Sequence, residues 1–149
     1  MTGHTIVVRD ASLEDANIIA VLMNDLGYDV ASATIFEKIA ALRTSASDAV
    51  FLAVLRERVV GVISLHALPM FHRSGNLGRI TSLVVGTSAR GRGVGTALID
   101  RSNEWFALKG CVKIEVTSGD HRTDAHLFYQ QLGFQRDGQR LAKSLPLYI

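Results

Sequence analysis

A chain of 149 residues, 48% hydrophobic and 20% charged, fits one soluble globular domain over 1–149; a domain of this size buries roughly 70% of its unfolded surface without covalent staples. A net charge of +2 is too mild to require nucleic acid as a partner, and the single cysteine, Cys111, cannot close an internal disulfide. No apolar run reaches the ~18 residues of a membrane span, and MTGHTIVVRDAS lacks the apolar core and cleavage site of a signal peptide, so no membrane contact and a cytoplasmic location are expected.

Thr5–Arg9 reads as a first, β-branched strand. A helix follows, with Ser12 as its N-cap and Glu14 and Asp15 in its first turn, where the helix dipole favours them. Ile18, Ile19, Val21, Leu22 and Leu26 recur at helical spacing until Gly27 ends the run. A second helix is expected over 33–45. Val50–Leu55 and Val59–Leu65 flank Arg56-Glu57-Arg58 as a hairpin with a charged turn that lacks the usual glycine. Pro69, Gly75 and Gly78 make 66–78 read as a loop, before a strand over 79–85. A helix runs from RGRGVG to about Leu108, then a strand over 112–117 and a helix over 124–132 stopped by Gly133. Phe134–Gln135 and Arg140–Leu145 read as a closing strand pair. The order predicts an α/β fold: a mixed, mainly antiparallel central sheet flanked by helices.

RGRGVG, between the apolar Leu83-Val84-Val85 and a helix, carries the strongest chemical signal. The P-loop template fails for want of its lysine, and G-x-G-x-x-G fails because Gly95 comes one position too early. Repeated RG binding to nucleic acid would need more repeats in a disordered setting. The physics shared by phosphate loops survives: a glycine-rich turn opening a helix puts several backbone N–H groups and the positive end of a dipole on one side. Arg90 and Arg92 add countercharge, which suits a diphosphate; the plainer alternative is a tight turn before an ordinary helix.

Arg90-x-x-Gly93-x-Gly95 resembles the [Q/R]-x-x-G-x-[G/A] signature of the Gcn5-related N-acetyltransferases (GNAT). Ala125-His126-Leu127-Phe128-Tyr129-Gln130-Gln131-Leu132-Gly133-Phe134 resembles that family's A-x-x-[LF]-Y-x-x-x-G-F segment. Within the family, the chain looks most like aminoalkylphosphonate N-acetyltransferases, through Gly61–His66, the His72 loop, Leu83–Val85, Asp124–Tyr129 and Arg140–Leu145. The resemblance implies acetyl-CoA as cosubstrate, its diphosphate on Arg90, Gly91, Arg92, Gly93, Val94, Gly95 and Thr96. It implies pantetheine along Leu83, Val84 and Val85, on a bulged strand that splays from its neighbour, with Ala125 and Phe128 also on the cosubstrate. Arg122 stands where relatives often have an asparagine that holds pantetheine; since arginine accepts no hydrogen bond, it is expected toward a CoA phosphate.

Direct attack by an amine is implied, with no acyl-enzyme, and Cys111 reads as a small packing residue. Tyr129 is the expected general acid, because a phenol with pKa near ~10 keeps a proton to give to a thiolate; the alternative is a packing tyrosine. Many relatives carry a glutamate on the strand before the glycine loop, and here that strand has no carboxylate. Glu115, His66, His72, a water chain, or an amine that arrives neutral with no dedicated base are the alternatives for this step. His66, His72, Arg73 and Arg79 form an expected basic rim for an anionic acceptor; two histidines in a loop are weak metal evidence, and no metal is expected. A protein N-terminal or lysine acetyltransferase, or a non-catalytic acyl-CoA-binding module, are the rival functions. The apolar tail Leu145–Ile149 suggests docking across the sheet or onto a second copy, which leaves a homodimer open.

Overall fold

The computed structural model describes residues 5–117 and 123–147. They belong to two compact units, divided between Thr117 and Ser118. In the first, a five-stranded sheet has the order β1 (Val7–Asp10), β2 (Asp48–Leu55), β3 (Arg58–Pro69), β4 (Asn76–Val85) and β5 (Cys111–Val116). Neighbours are antiparallel except β4 and β5, which run parallel. The mixed sheet with flanking helices agrees with the expected fold class.

One face carries α1 (Ala16–Asp25) and α2 (Ser32–Leu42). Ala16, Ile19 and Leu22 of α1 and Ile39 of α2 pack with Leu52, Val62 and Val84, one residue from each of three adjacent strands. The other face carries α3 (Val94–Leu108). Its approach depends on missing side chains: a Cβ on Gly61 would lie 3.0 Å from Val94 Cγ1, and one on Gly78 would lie 2.5 Å from the Phe106 ring. Gly78 therefore belongs to a strand because only glycine fits under Phe106. This corrects the loop expected over 66–78: β3 continues to Pro69, and the connection shrinks to 70–75. Pro69 closes a strand rather than excluding one, and His66 sits inside β3.

Ser12 does cap the first helix, which opens as a 3-10 turn over Leu13–Asp15. The buried Asp15 carboxylate accepts the Ser12 backbone N–H at 2.7 Å and both Arg9 guanidinium nitrogens at 2.9 Å. The Arg9 hydrogen bonds, against an opposing desolvation cost, hold its pKa at about 2. An unfolded aspartate titrates near ~3.9, so the stabilisation is complete above that pH and disappears as pH falls through the folded value. Asp15→Asn is expected to cost about 2 kcal/mol at pH 7. Urea denaturation of both proteins should show the gap closing between about pH 4 and pH 2.

The β2–β3 turn is strained. Arg56 and Glu57 have φ of 53° and 64°, the left-handed pair of a two-residue hairpin turn that glycine or asparagine normally fills. Glu57→Gly should raise stability by about 1 kcal/mol, read as a melting temperature about 2–4 °C higher.

In the second unit, α4 (Thr123–Gln131) ends at Gly133, whose φ is +93°, and Phe134 N–H returns to the Tyr129 carbonyl at 3.0 Å. The expected closing strands are not formed among the described residues: 132–147 contain no strand. Arg140–Leu145 contains no β-branched or aromatic residue, Pro146 lacks an N–H for a ladder, and Leu141, Leu145 and Leu147 are exposed. Of the tail expected to dock, Tyr148 and Ile149 lie outside the described residues. Among the described residues no helix is long and apolar enough to cross a membrane.

Candidate active site

β4 does three things in ten residues. Its first half pairs with β5, from Asn76↔Cys111 to Ile80↔Val116. Ser64 then faces Ser82 while Leu65 faces Ile80, so Thr81 is an extra residue, a β-bulge. From Ser82 to Val85 the strand keeps its β3 partner, and among the described residues it has no partner on the β5 side. Gly86 N–H donates to Val60 O of β3 at 2.8 Å. By alternation, Ser82 and Val84 also turn their amides to β3, and Leu83 and Val85 present theirs to the open side. Val84 is buried under α1. Two functions expected of Leu83, Val84 and Val85 thus divide: Val84 packs, and its neighbours expose backbone.

The open edge leads into the glycine turn. A 3-10 turn, Thr87–Ala89, buries Ala89; Arg90 is extended and exposed. Gly91 and Gly93 have φ of +77° and +82°. Gly93 is the N-cap of α3 and provides no side chain to accept the first amides of the helix. Val94, by contrast, is buried against the sheet and pins that end. The N–H groups of Gly95 and Thr96, at the second and third helical positions, are the ones a Ser or Asp cap would normally take. Beside the turn, Arg56, Arg58, Ser88 and Arg92 line an open cleft of ≈ 500 Å³.

Farther along β3, on the face that carries α1 and α2, four polar residues form one row across the sheet. Asp48 of β2 pairs with His66 of β3, His66 with Arg79 of β4, and Arg79 with Glu115 of β5. Asp48 Oδ1 is 2.6 Å from His66 Nδ1, and Arg79 Nη2 donates to Glu115 Oε2 at 2.8 Å. His66 Nε2 is 2.7 Å from Thr81 Oγ1, which is 2.7 Å from Ser64 Oγ. Without the bulge Thr81 would alternate to the opposite face; the bulge turns it toward His66. Burial pushes the Asp48 carboxyl up, but hydrogen bonds from Ser45, His66 and Ser47 outweigh it and leave the group below the ordinary carboxylate range.

His66, Arg79 and Glu115 are therefore brought together, while His72 and Arg73 lie in the exposed 70–75 connection, with no tie to the row among the described residues. Glu115 is occupied by Arg79, which weakens its case as a base. Asp48, Ser64 and Thr81 were not singled out in the sequence. Their signal is weak: Thr81 is one hydroxyl beside Ser82, and Asp48 reads as a turn residue before an apolar run. Cys111 is half-buried, and desolvation pushes its thiol pKa up, away from the thiolate a nucleophile needs. No group of three metal-ligating side chains gathers among the described residues. Arg122 lies outside the described residues. In the second unit the half-buried Tyr129 ring meets Phe128 and Phe134 edge-on, at 5.3 and 5.5 Å; Ala125 is one turn earlier on the same helix.

A model of the acetyltransferase (GNAT) family matches residues 17–134. The chain belongs to that family. It is similar to an aminoalkylphosphonate N-acetyltransferase of Salmonella typhimurium, 34% identical over 94 residues, covering 63% of this chain and 61% of that protein. It is also similar to a glucosamine 6-phosphate N-acetyltransferase of Trypanosoma brucei brucei, 37% identical over 89 residues, covering 59% of this chain and 58% of that protein. Both alignments thus span about three fifths of the curated relatives. The GNAT fold itself is shared with an aminoglycoside N-acetyltransferase solved in complex with CoA: TM-score 0.85, 17% identity and 98% coverage of each chain.

Proposed function

We propose that this GNAT chain transfers the acetyl group of acetyl-CoA directly to the primary amine of a small anionic molecule. The observation that carries the reading is β4 itself: an open edge at Leu83 and Val85 running into an uncapped helix N-terminus at Gly93. These fit a long donor with a diphosphate. Outward N–H groups at Leu83 and Val85 suit an added strand-like pantetheine and a polarised carbonyl oxygen. The turn from Arg90 to Thr96 suits the diphosphate. The bound donor supplies an activated thioester carbonyl. Tyr129 is assigned the proton for the departing thiolate by its place in the family motif, as Ala125, Phe128 and Arg122 are assigned to the donor.

The acceptor class rests on two supports. The two curated relatives are named for amines that carry a phosphonate or a phosphate. The row beside the open edge offers cationic or hydrogen-bonding groups at Arg79 and His66, with His72 and Arg73 in the connection that follows β3. The test is an acetylation screen of aminoalkylphosphonates, amino sugar phosphates, polyamines, aminoglycosides and peptides, read as thiol release. Anionic amines should give the highest kcat/KM. A preference for peptides would make the chain a protein acetyltransferase, and acetyl-CoA binding without turnover on any amine would make it a binding module.

A further inference from the structure

We propose that Thr81, His66 and Asp48 form a proton relay that takes the proton of the incoming ammonium group, Thr81 touching the amine, His66 accepting the proton through it and Asp48 positioning the ring. The proposal rests on the acetyltransferase reading above. An alkylamine is protonated at neutral pH and has no lone pair for attack, so the site needs an acceptor for one proton. β4 itself provides no carboxylate, and Glu115 is bound to Arg79.

The direction of the chain follows from what each atom can do. A carboxylate only accepts, so the 2.6 Å contact requires the hydrogen on His66 Nδ1. When the ring carries only that hydrogen, its Nε2 lone pair faces Thr81, whose hydroxyl then donates across the 2.7 Å contact. Having given its hydrogen to His66, Thr81 Oγ1 can only accept from Ser64 Oγ. Every hydrogen in the chain points toward Asp48, and Thr81 Oγ1 keeps a second lone pair at its exposed end. Thr81 also lies two residues before Leu83, about 7 Å of strand. The relay therefore opens beside the edge assigned to the thioester.

The step balances. The ammonium N–H bond breaks and Thr81 Oγ1 gains that hydrogen while its own moves to Nε2, leaving an imidazolium against the Asp48 carboxylate. The amine lone pair forms the C–N bond to the acetyl carbon and the C–S bond breaks. A second amine hydrogen is lost, the thiolate gains one to leave as the thiol, and His66 returns its proton to water. The charged groups bearing on His66 are Asp48 of β2 and Arg79 of β4, with Glu115 of β5 behind Arg79; Ser45 and Ser47 hold Asp48.

The test compares Thr81→Val, which keeps the β-branched shape, with the unaltered protein on two acceptors: an alkylamine that is protonated at the assay pH and a weakly basic amine that is neutral there. Thr81→Val should lower kcat/KM about 100-fold for the first, change it less than about threefold for the second, and flatten the acid limb of the alkylamine pH profile. His66→Gln should lower kcat for the alkylamine more than for the weakly basic amine, with acetyl-CoA affinity unchanged in both variants. Equal losses on the two amines would mean a structural role, and no loss would remove the relay; either overturns the proposal. So would an acetyl group found on Thr81 after incubation with acetyl-CoA alone, which would make it a nucleophile. Should the unaltered protein bind acetyl-CoA yet acetylate neither amine, nor any in the screen above, the acetyltransferase reading itself fails and takes the relay with it.

Discussion

Gly93→Asp should weaken acetyl-CoA binding at least about 100-fold while leaving the fold close to its original stability. The two effects separate because the position has two jobs. Gly93 sits at φ +82° and caps α3 without a side chain. Aspartate tolerates the left-handed region better than most residues, and a carboxylate at a helix N-terminus is favourable, so strain of about 1 kcal/mol is largely offset. The same carboxylate places a negative charge among the amides assigned to the diphosphate. Calorimetric titration with acetyl-CoA and a thermal melt check both halves. Binding that survives the substitution would move the diphosphate elsewhere.

Tyr129→Phe should lower kcat about 100-fold and leave the acetyl-CoA Kd unchanged. The ring's edge contacts with Phe128 and Phe134 need no hydroxyl, and the carbonyl that holds the helix end is backbone. The variant keeps these ring contacts and removes the hydroxyl, and a thermal melt beside the kinetics separates lost stability from lost proton transfer. Full turnover at saturating substrates would leave Tyr129 as a packing residue.

The glycine turn was legible because its information is local. Spacing, charge and the switch from an apolar strand to a helix all fall within Leu83–Thr96, and the structure places them in one continuous segment. The polar row was not legible for the opposite reason. Asp48, His66, Arg79 and Glu115 come from four strands and meet only through register. Thr81 faces His66 only because of a bulge, and nothing in Arg79-Ile80-Thr81-Ser82 marks which residue is the extra one. His66 was misassigned to a loop because Pro69, Gly75 and Gly78 imitate one. Gly75 does turn, at φ +87°, but Gly78 is small to admit Phe106, a packing requirement from a distant helix. The expected closing strands failed on composition, since Arg140–Leu145 holds no β-branched or aromatic residue to favour a strand.

The most direct test of the central claim is a single reaction in which released thiol and N-acetylated product are measured together, with acetyl-CoA and an aminoalkylphosphonate. Direct transfer predicts equal amounts of the two, and no thiol when the amine is left out. Thiol released without amine, or acetyl-CoA bound with neither product formed on any amine, would contradict it.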